Sequence, residues 1–175
     1  MKNGNRRKQW LAYRILLQNL WYEQPMEIVY DKFGKPHIMN SEHMNFSASH
    51  SGSYAAVITG LKCQVGIDIE KITPRLLQVK ERFLSGIELN AFGPSYDLEK
   101  LGIYWCGKEA LYKVYGKPEV DLRNDIFIHS FDYLCATSGY CKATMTTPEN
   151  IMEYILWYKK WGDYMLVYTY DQRYF

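Results

Sequence analysis

The sequence WCGKEALYK, Trp105–Lys113, decides how the middle of this chain folds. Its apolar residues recur at the three- and four-residue spacing of an α-helix: Ala110, Leu111 and Val114. Glu109 and Lys113 are four residues apart and lie along another side of the same helix. Alone, they would form an exposed ion pair that stabilises a helix by only about 0.2 to 0.5 kcal/mol. The stretch therefore predicts a helix with a carboxylate one turn before a cation.

A second segment, VGIDIE at 65–70, lies upstream of this helix and alternates between apolar and other residues. The alternation predicts a strand with Asp68 and Glu70 on one face, their carboxylates about 6 to 7 Å apart. At a protein surface, like charges at that distance repel by about 2 to 3 kcal/mol, so in a cleft they favour a cation. Together with Glu109 they would offer three oxygen ligands of the kind that Mg²⁺ accepts. The spacing leaves open whether the two segments meet.

The two motifs together, GIDIE at 66–70 and WCxKEAxxK at 105–113, resemble the signature of the 4'-phosphopantetheinyl transferase superfamily. FGKP at 33–36 and NFSASHSG at 45–52 agree with the same family, and the similarity covers about residues 14–128. The glutamate two residues after the aspartate resembles the surfactin-synthetase-activating (Sfp) type. The resemblance implies an α+β fold in a single domain, 1–175. In that fold two pseudo-duplicated α/β halves, about 1–64 and 65–175, pack around a coenzyme A site.

The resemblance also implies an activity, the transfer of the 4'-phosphopantetheine arm of coenzyme A to a serine of an apo acyl or peptidyl carrier protein. Adenosine 3',5'-bisphosphate would be released. Asp68, Glu70 and Glu109 are the expected ligands of a Mg²⁺ cofactor. As catalytic residues, Glu109 would take the serine proton, directly or through a metal-bound water, Asp68 would hold the metal, and Lys113 would stabilise or protonate the departing phosphate.

Five further residues match positions that bind coenzyme A in the family: Arg14, Lys35, Pro36, His50 and Lys108. Arg14 and His50 would hold phosphate, Lys35 would contact phosphate, and Pro36 would form part of the adenine surface. Lys108 points in a different direction from Glu109 on the helix, so only a supporting phosphate role is expected for it. Without the resemblance, Arg14 and Lys35 read as solvated side chains and His50 as a structural donor.

Composition places the chain among ordinary globular proteins, with 47% hydrophobic and 23% charged residues. A formal net charge of +2 gives no basis for expecting a nucleic-acid or membrane partner. No apolar run is long enough to cross a membrane and no apolar segment follows the charged N-terminus, so we expect a cytoplasmic protein. We also expect a monomer. The cysteines, Cys63, Cys106, Cys135 and Cys141, have no zinc-binding spacing and are expected to be buried thiols.

The remaining patterns predict helices before and after the GIDIE strand and strands in the C-terminal third. Thr73 and Pro74 are expected to begin a helix that runs to Ser85, and Ser85 with Glu88 forms a capping box for the next helix. Gly93 and Pro94 are expected to end that helix. Gly107, inside the predicted helix, costs about 0.5 to 1 kcal/mol relative to alanine and indicates close approach by another segment. The other predicted elements are a helix at 6–20, one from about Ser95 or Asp97 to Gly116, and strands at 27–30, 45–49, 54–58, 126–128, 140–145, 154–158 and 164–170.

Three other interpretations differ in class or assembly. A compact holo-acyl-carrier-protein synthase builds its site between subunits of a trimer, but such chains carry one half, whereas strands precede the Asp68 motif here. A non-catalytic module that binds coenzyme A or a carrier protein could keep the same fold. The 16 tyrosines could stack on single-stranded nucleic acid, although no basic stripe accompanies them.

Overall fold

The structure of this protein is a computed structural model that describes residues 2–20, 26–39, 41, 43–92, 96–134 and 137–171. Its helices are α1 (Lys2–Leu20), α2 (Arg75–Val79), α3 (Gly86–Phe92) and α4 (Leu98–Tyr115), with a 3₁₀ turn at Lys80–Arg82. Its strands are β1 (Ile28–Tyr30), β2 (Pro36–Ile38), β3 (Met44–Ser51), β4 (Tyr54–Leu61), β5 (Val65–Lys71), β6 (Ile126–Ile128), β7 (Ser138–Thr146), β8 (Ile151–Trp161) and β9 (Tyr164–Tyr170).

The strands form one large sheet and two antiparallel pairs. The large sheet is antiparallel with the order β5-β9-β8-β7-β6, and the pairs are β1-β2 and β3-β4. In the large sheet Asp68 lies opposite Val167 and Glu70 opposite Met165. The mixture of helices and antiparallel strands confirms the predicted α+β class. The division into pseudo-halves at about residue 64 stays a prediction.

Helix α4 is the centre of the main hydrophobic core, where it packs against β5 and β9. Between residues 101 and 114 it is buried except along one stripe, whose members are partly exposed: Trp105, Glu109, Tyr112 and Lys113. The Asp97 side chain caps its first turn by accepting hydrogen bonds from the backbone N–H groups of Glu99 and Lys100. Gly116, at φ 75°, ends it in the left-handed conformation. The predicted helix and both its ends are confirmed.

Two glycines let this helix approach its neighbours closely. A Cβ on Gly66 of β5 would overlap the carbonyl oxygen of Ala110 in α4. A Cβ on Gly107 would lie 2.7 Å from a methyl carbon of Leu156 and 3.0 Å from one of Ile128. The close approach expected at Gly107 is therefore present, and the one at Gly66 sets the distance between β5 and α4.

The helix predicted from Pro74 to Ser85 is wrong in length. Helix α2 ends at Val79, and the chain tightens into the 3₁₀ turn before Phe83. Phe83 and Leu84, which follow this turn, are both fully buried, so packing in the core rather than helical spacing sets the path of the chain there. Thr73 does not cap α2, because Pro74 holds the cap position without a side-chain hydrogen bond.

Several local predictions are confirmed or adjusted. The capping box is present, since Ser85 N–H donates to Glu88 and Glu88 N–H donates to the Ser85 hydroxyl. Strand β3 continues through His50 to Ser51, and β8 continues to Trp161, so both following turns are shorter than predicted. Gly93, Pro94 and Cys135 lie outside the described residues. The cysteines that the structure describes, at 63, 106 and 141, are buried free thiols. None of the described helices has the length and apolarity needed to cross a membrane.

Candidate functional site

The two motifs found in the sequence meet where α4 packs on β5. The Lys113 ammonium donates hydrogen bonds to Asp68 Oδ1 at 2.8 Å and to the Ile67 carbonyl oxygen at 3.0 Å. Asp68 is buried, whereas the Lys113 side chain is partly exposed. Because Gly66 lets the helix approach the strand, a strand carboxylate and a helix cation are joined directly.

Strand β3 supplies two hydroxyl contacts to the carboxylates of β5. The Ser49 hydroxyl donates to Asp68 Oδ1 at 2.5 Å, and the Ser51 hydroxyl donates to Glu70 Oε1 at 2.8 Å. The backbone N–H of Lys71 also donates to Glu70 Oε1. Glu70 is therefore held through one of its two oxygens, and Asp68 also contacts the buried Cys106 thiol of α4.

Glu109 lies on the partly exposed stripe of α4, close enough to Asp68 and Glu70 for their charges to affect its pKa. Burial raises the pKa of Glu109, and the negative charges of Asp68 and Glu70 raise it further, while Lys113 opposes them. Within the described part of the chain, no hydrogen-bond donor reaches its carboxylate. Three carboxylates thus share a poorly solvated region with a single lysine in contact.

These residues fit a divalent cation by the chemistry of their donors. No N–H or O–H group of a described residue donates to the second oxygen of Asp68 or of Glu70. Neither oxygen of Glu109 accepts a hydrogen bond from a described residue, so both are available to a cation. Such hard oxygen donors suit Mg²⁺. As they stand, no three His, Cys, Asp or Glu side chains within the described ranges are arranged to hold a metal ion. Lys113 is the cation that accompanies Asp68 in this structure.

A cavity of about 410 Å³ opens beside Lys113. It lies between the β1-β2 turn, β3 and the C-terminal end of α4, and its apolar walls include Phe33, Phe46 and Tyr112. Its charged lining residues are Lys35, Lys113 and Lys117, without a carboxylate among the lining residues. Flat apolar walls beside several lysines suit a ligand that has both a ring system and phosphate groups.

Lys35 and Pro36, two of the predicted coenzyme A residues, line this cavity. The Lys35 ammonium donates to Gln64 Oε1 at 2.8 Å and to the Val114 carbonyl oxygen at 3.0 Å. Burial lowers the pKa of Lys35, and the nearby charge of Asp31 acts in the opposite direction. Lys35 therefore links the β1-β2 turn to the end of α4, a contact that the sequence did not indicate.

Arg14 and His50 do not line the cavity. The Arg14 guanidinium stacks on Trp10, 3.9 Å from the ring centroid. His50 is exposed on the face of β3 that also carries Phe46 and Ala48, both lining residues. The phosphate roles expected for Arg14 and His50 stay predictions.

The supporting phosphate role expected for Lys108 is corrected by its position. Lys108 is fully buried, and its ammonium donates to Glu88 at 2.7 Å and to the carbonyl oxygens of Leu122 and Ile126. Glu88 also accepts a hydrogen bond from the backbone N–H of Ile128. All three donors of Lys108 are used inside the core, where they join α3, α4 and β6, so none is available to a ligand.

Two features of the site were missed by sequence reasoning. The first is the contact of Ser49 and Ser51 with the carboxylates, although their two-residue spacing repeats that of Asp68 and Glu70. The second is a further cavity of about 400 Å³ that includes Glu70 and Trp105. Its other lining residues are mainly basic or apolar: Lys71, Thr73, Arg75, Leu76, Val79, Arg82 and Leu122. Lys113 and Glu70 therefore line two different cavities.

Three neighbouring carboxylates beside a cavity lined with lysines are typical of proteins that bind phosphorylated ligands with a divalent cation. The chain belongs to the 4'-phosphopantetheinyl transferase superfamily, whose sequence model matches residues 64–165. The family resemblance is thereby confirmed, and the Sfp type stays a prediction.

Individual relatives are similar to this chain at moderate identity. The chain is 36% identical over 121 residues to the 4'-phosphopantetheinyl transferase AcpT of Escherichia coli K12, which covers 65% of this chain and 60% of that protein. It is 35% identical over 118 residues to AcpT of Salmonella typhimurium, covering 65% of this chain and 61% of that protein. A 4'-phosphopantetheinyl transferase of Bacillus subtilis is 35% identical over 89 residues, 49% of this chain and 39% of that protein. The matched part thus spans about three fifths or less of each of these relatives.

Proposed function

We propose that this protein transfers the 4'-phosphopantetheine group of coenzyme A to a serine hydroxyl of an apo carrier protein. In the reaction the serine oxygen bonds to the phosphorus that bears pantetheine. The bridging P–O bond breaks, and adenosine 3',5'-bisphosphate leaves. The observation that carries the proposal is the contact of Lys113 with Asp68, because Lys113 also lines the lysine-rich cavity. A phosphate group in that cavity would lie beside the carboxylate cluster.

Coenzyme A would occupy the 410 Å³ cavity. Lys113 and Lys117 provide charge for its phosphates, and Phe33, Pro36 and Phe46 provide apolar surface for the adenine ring. His50 lies further along the β3 face that carries Phe46, where an extended ligand could reach it.

Asp68, Glu70 and Glu109 would hold Mg²⁺, which when bound offsets the charge that develops on the pyrophosphate. Glu109 would accept the proton of the attacking serine, directly or through a metal-bound water. Lys113, fixed by Asp68 and the Ile67 carbonyl, would stabilise the leaving phosphate. In this proposal the carboxylates would hold the metal and take the serine proton, and the lysine would stabilise the leaving group.

The carrier protein would approach from the second cavity, which includes Glu70. Arg75 and Arg82 give this surface positive charge, and Leu76 and Trp105 give it apolar area. Such a surface suits a partner with acidic and apolar side chains around the modified serine. Either an acyl or a peptidyl carrier meets this description. The monomeric state and the cytoplasmic location expected from the sequence stay predictions.

Mass spectrometry of an apo carrier protein incubated with this protein, coenzyme A and Mg²⁺ tests the proposal. We expect the carrier to gain one phosphopantetheine mass and expect a chelator to prevent the gain. Asp68→Ala, in the same assay, should give no product. Binding of coenzyme A without any gain, across acyl and peptidyl carriers, would contradict transfer and favour the non-catalytic binding module.

A further inference from the structure

Alternate serines of β3 face β5, although the two strands belong to different sheets. Ser47 accepts a hydrogen bond from the backbone N–H of Ile67 at 3.2 Å. Ser51 accepts one from the backbone N–H of Lys71 at 3.1 Å and donates to Glu70. Ser49 donates to Asp68. Serine side chains thus take the place of a backbone ladder between these strands, and two of them end on carboxylates of the site.

The two carboxylates differ in how much they depend on their serine. Asp68 Oδ1 accepts from both Ser49 and Lys113, so its orientation has two independent supports. Glu70 has a longer side chain and accepts from Ser51 and from the backbone N–H of its own neighbour, Lys71. Among the described residues, Ser51 is therefore the one side chain from another strand that holds Glu70, and it is itself buried, with 9% of its surface exposed.

We propose that Ser51 is a positioning residue for metal binding. Its hydroxyl fixes Glu70 through Oε1 and leaves the second oxygen for the cation that Asp68 and Glu109 share. A hydrogen bond to a charged acceptor is stronger than a neutral one, and hydrogen-bonded neighbours of metal ligands commonly change metal affinity 10- to 100-fold. The inference rests on the proposed function, since it assigns Glu70 to a metal.

The test compares three variants by direct Mn²⁺ binding, with the free ion measured by electron paramagnetic resonance and no coenzyme A present. Ser51→Ala should weaken binding by about ten-fold. Ser51→Thr keeps the hydroxyl on a β-branched residue that suits a strand, and should stay near the wild-type affinity. Ser53→Ala, the matched control, removes an exposed serine from the turn after β3 and should change nothing.

Transfer kinetics supply the readout that separates positioning from general damage. For Ser51→Ala we expect the Mg²⁺ concentration for half-maximal rate to rise by about the same factor as the Mn²⁺ dissociation constant. The rate at saturating Mg²⁺ and the KM for coenzyme A should remain close to wild type, because the lysines that line the 410 Å³ cavity are unchanged.

Wild-type Mn²⁺ affinity in Ser51→Ala would overturn the inference, whatever happens to the rate. If Ser51→Ala does not fold, Ser51→Cys is measured in its place, since a thiol keeps the volume but is a weak donor. Its wild-type affinity would be equally decisive against positioning. The carrier mass assay judges the proposed function separately: wild-type protein that binds Mn²⁺ but transfers nothing would refute transfer and leave the role of Ser51 standing on the binding data.

Discussion

Glu109 has the least support from neighbouring donors among the carboxylates of the site. It is partly buried, its pKa is raised by burial and by Asp68 and Glu70, and within the described ranges no donor reaches it. We expect Glu109→Gln to stop transfer and yet raise the melting temperature of the chelator-treated protein. Each kcal/mol gained corresponds to about 2 to 4 °C for a chain of this size. Calorimetry of both proteins at neutral pH in the presence of chelator measures the shift.

The exposed Glu81, in the 3₁₀ turn, offers the control for Glu109. Glu81→Gln removes the same charge and should leave both the melting temperature and transfer unchanged. A lower melting temperature in Glu109→Gln than in wild type would show that the Glu109 carboxylate makes contacts that stabilise the folded protein, which would contradict this prediction.

Two lysines of the same helix are expected to have different roles, one in stability and one in activity. Lys108→Met leaves Glu88 without its partner in the core, and breaking a buried ion pair in this way typically costs about 3 to 5 kcal/mol. Lys113→Met removes a partly exposed lysine from Asp68, which Ser49 still holds, so its effect on stability should be much smaller. Urea unfolding and the carrier mass assay, applied to both variants, should find Lys108→Met unstable and Lys113→Met inactive but folded. Equal stability of the two would contradict the core role of Lys108.

The error made for Lys108 has a physical cause. Lys108 and Glu109 are adjacent in the motif, but successive helix residues point about 100° apart. Which of these directions faces the core depends on α3 and β6, which are remote in sequence. Helical spacing alone could therefore predict that Lys108 and Glu109 point in different directions. It could not predict that Lys108 pairs with Glu88 inside the core.

At the scale of elements, β5 and α4 were predictable because each has a strong period and clear ends. Alternation from Val65 to Glu70 predicted the strand, and the apolar spacing together with Gly116 predicted the helix. Their contact was not predictable, because it depends on what surrounds Gly66 in three dimensions. The length of α2 was missed for a related reason, since the burial of both Phe83 and Leu84 is decided by tertiary packing.

The packing of β5 on α4 predicts a strong effect of a single methyl group. Gly66→Ala would place its Cβ on the Ala110 carbonyl oxygen, so the helix must move away from the strand. Because overpacking costs about 1 to 3 kcal/mol, we expect lower stability in urea unfolding and loss of transfer as Lys113 separates from Asp68.

Gly86→Ala is the matched control, since a Cβ there meets nothing within 4 Å. It should leave activity unchanged and stability equal or slightly higher. A Gly66→Ala protein as active as wild type would show that the close contact does not position the site.

At the scale of the whole molecule, the cavity depends on segments that are far apart in sequence. Its walls come from the β1-β2 turn and β3 on one side and from the end of α4 on the other. Lys35 joins these sides by donating to Gln64 and to Val114. The sequence predicted Lys35 as a ligand contact from its motif, but could not show this internal link.

The last prediction follows from that link. Lys35→Met removes both hydrogen bonds, so the Gln64 amide and the Val114 carbonyl lose a partner and the cavity loses a positive charge. We expect lower intrinsic stability, by about 1 to 3 kcal/mol, and weaker binding of coenzyme A. A ligand at 100 times its dissociation constant stabilises a protein by about 2.7 kcal/mol, so unfolding with and without coenzyme A measures both effects. Lys117→Met serves as the comparison, because Lys117 lines the same cavity but contacts the exposed Glu149 and the ring of the nearby Tyr115 rather than Gln64 or Val114. It should weaken binding without lowering intrinsic stability. Equal intrinsic stability of the two variants would mean that Lys35 acts as a ligand contact alone and that other contacts hold the two sides of the cavity together.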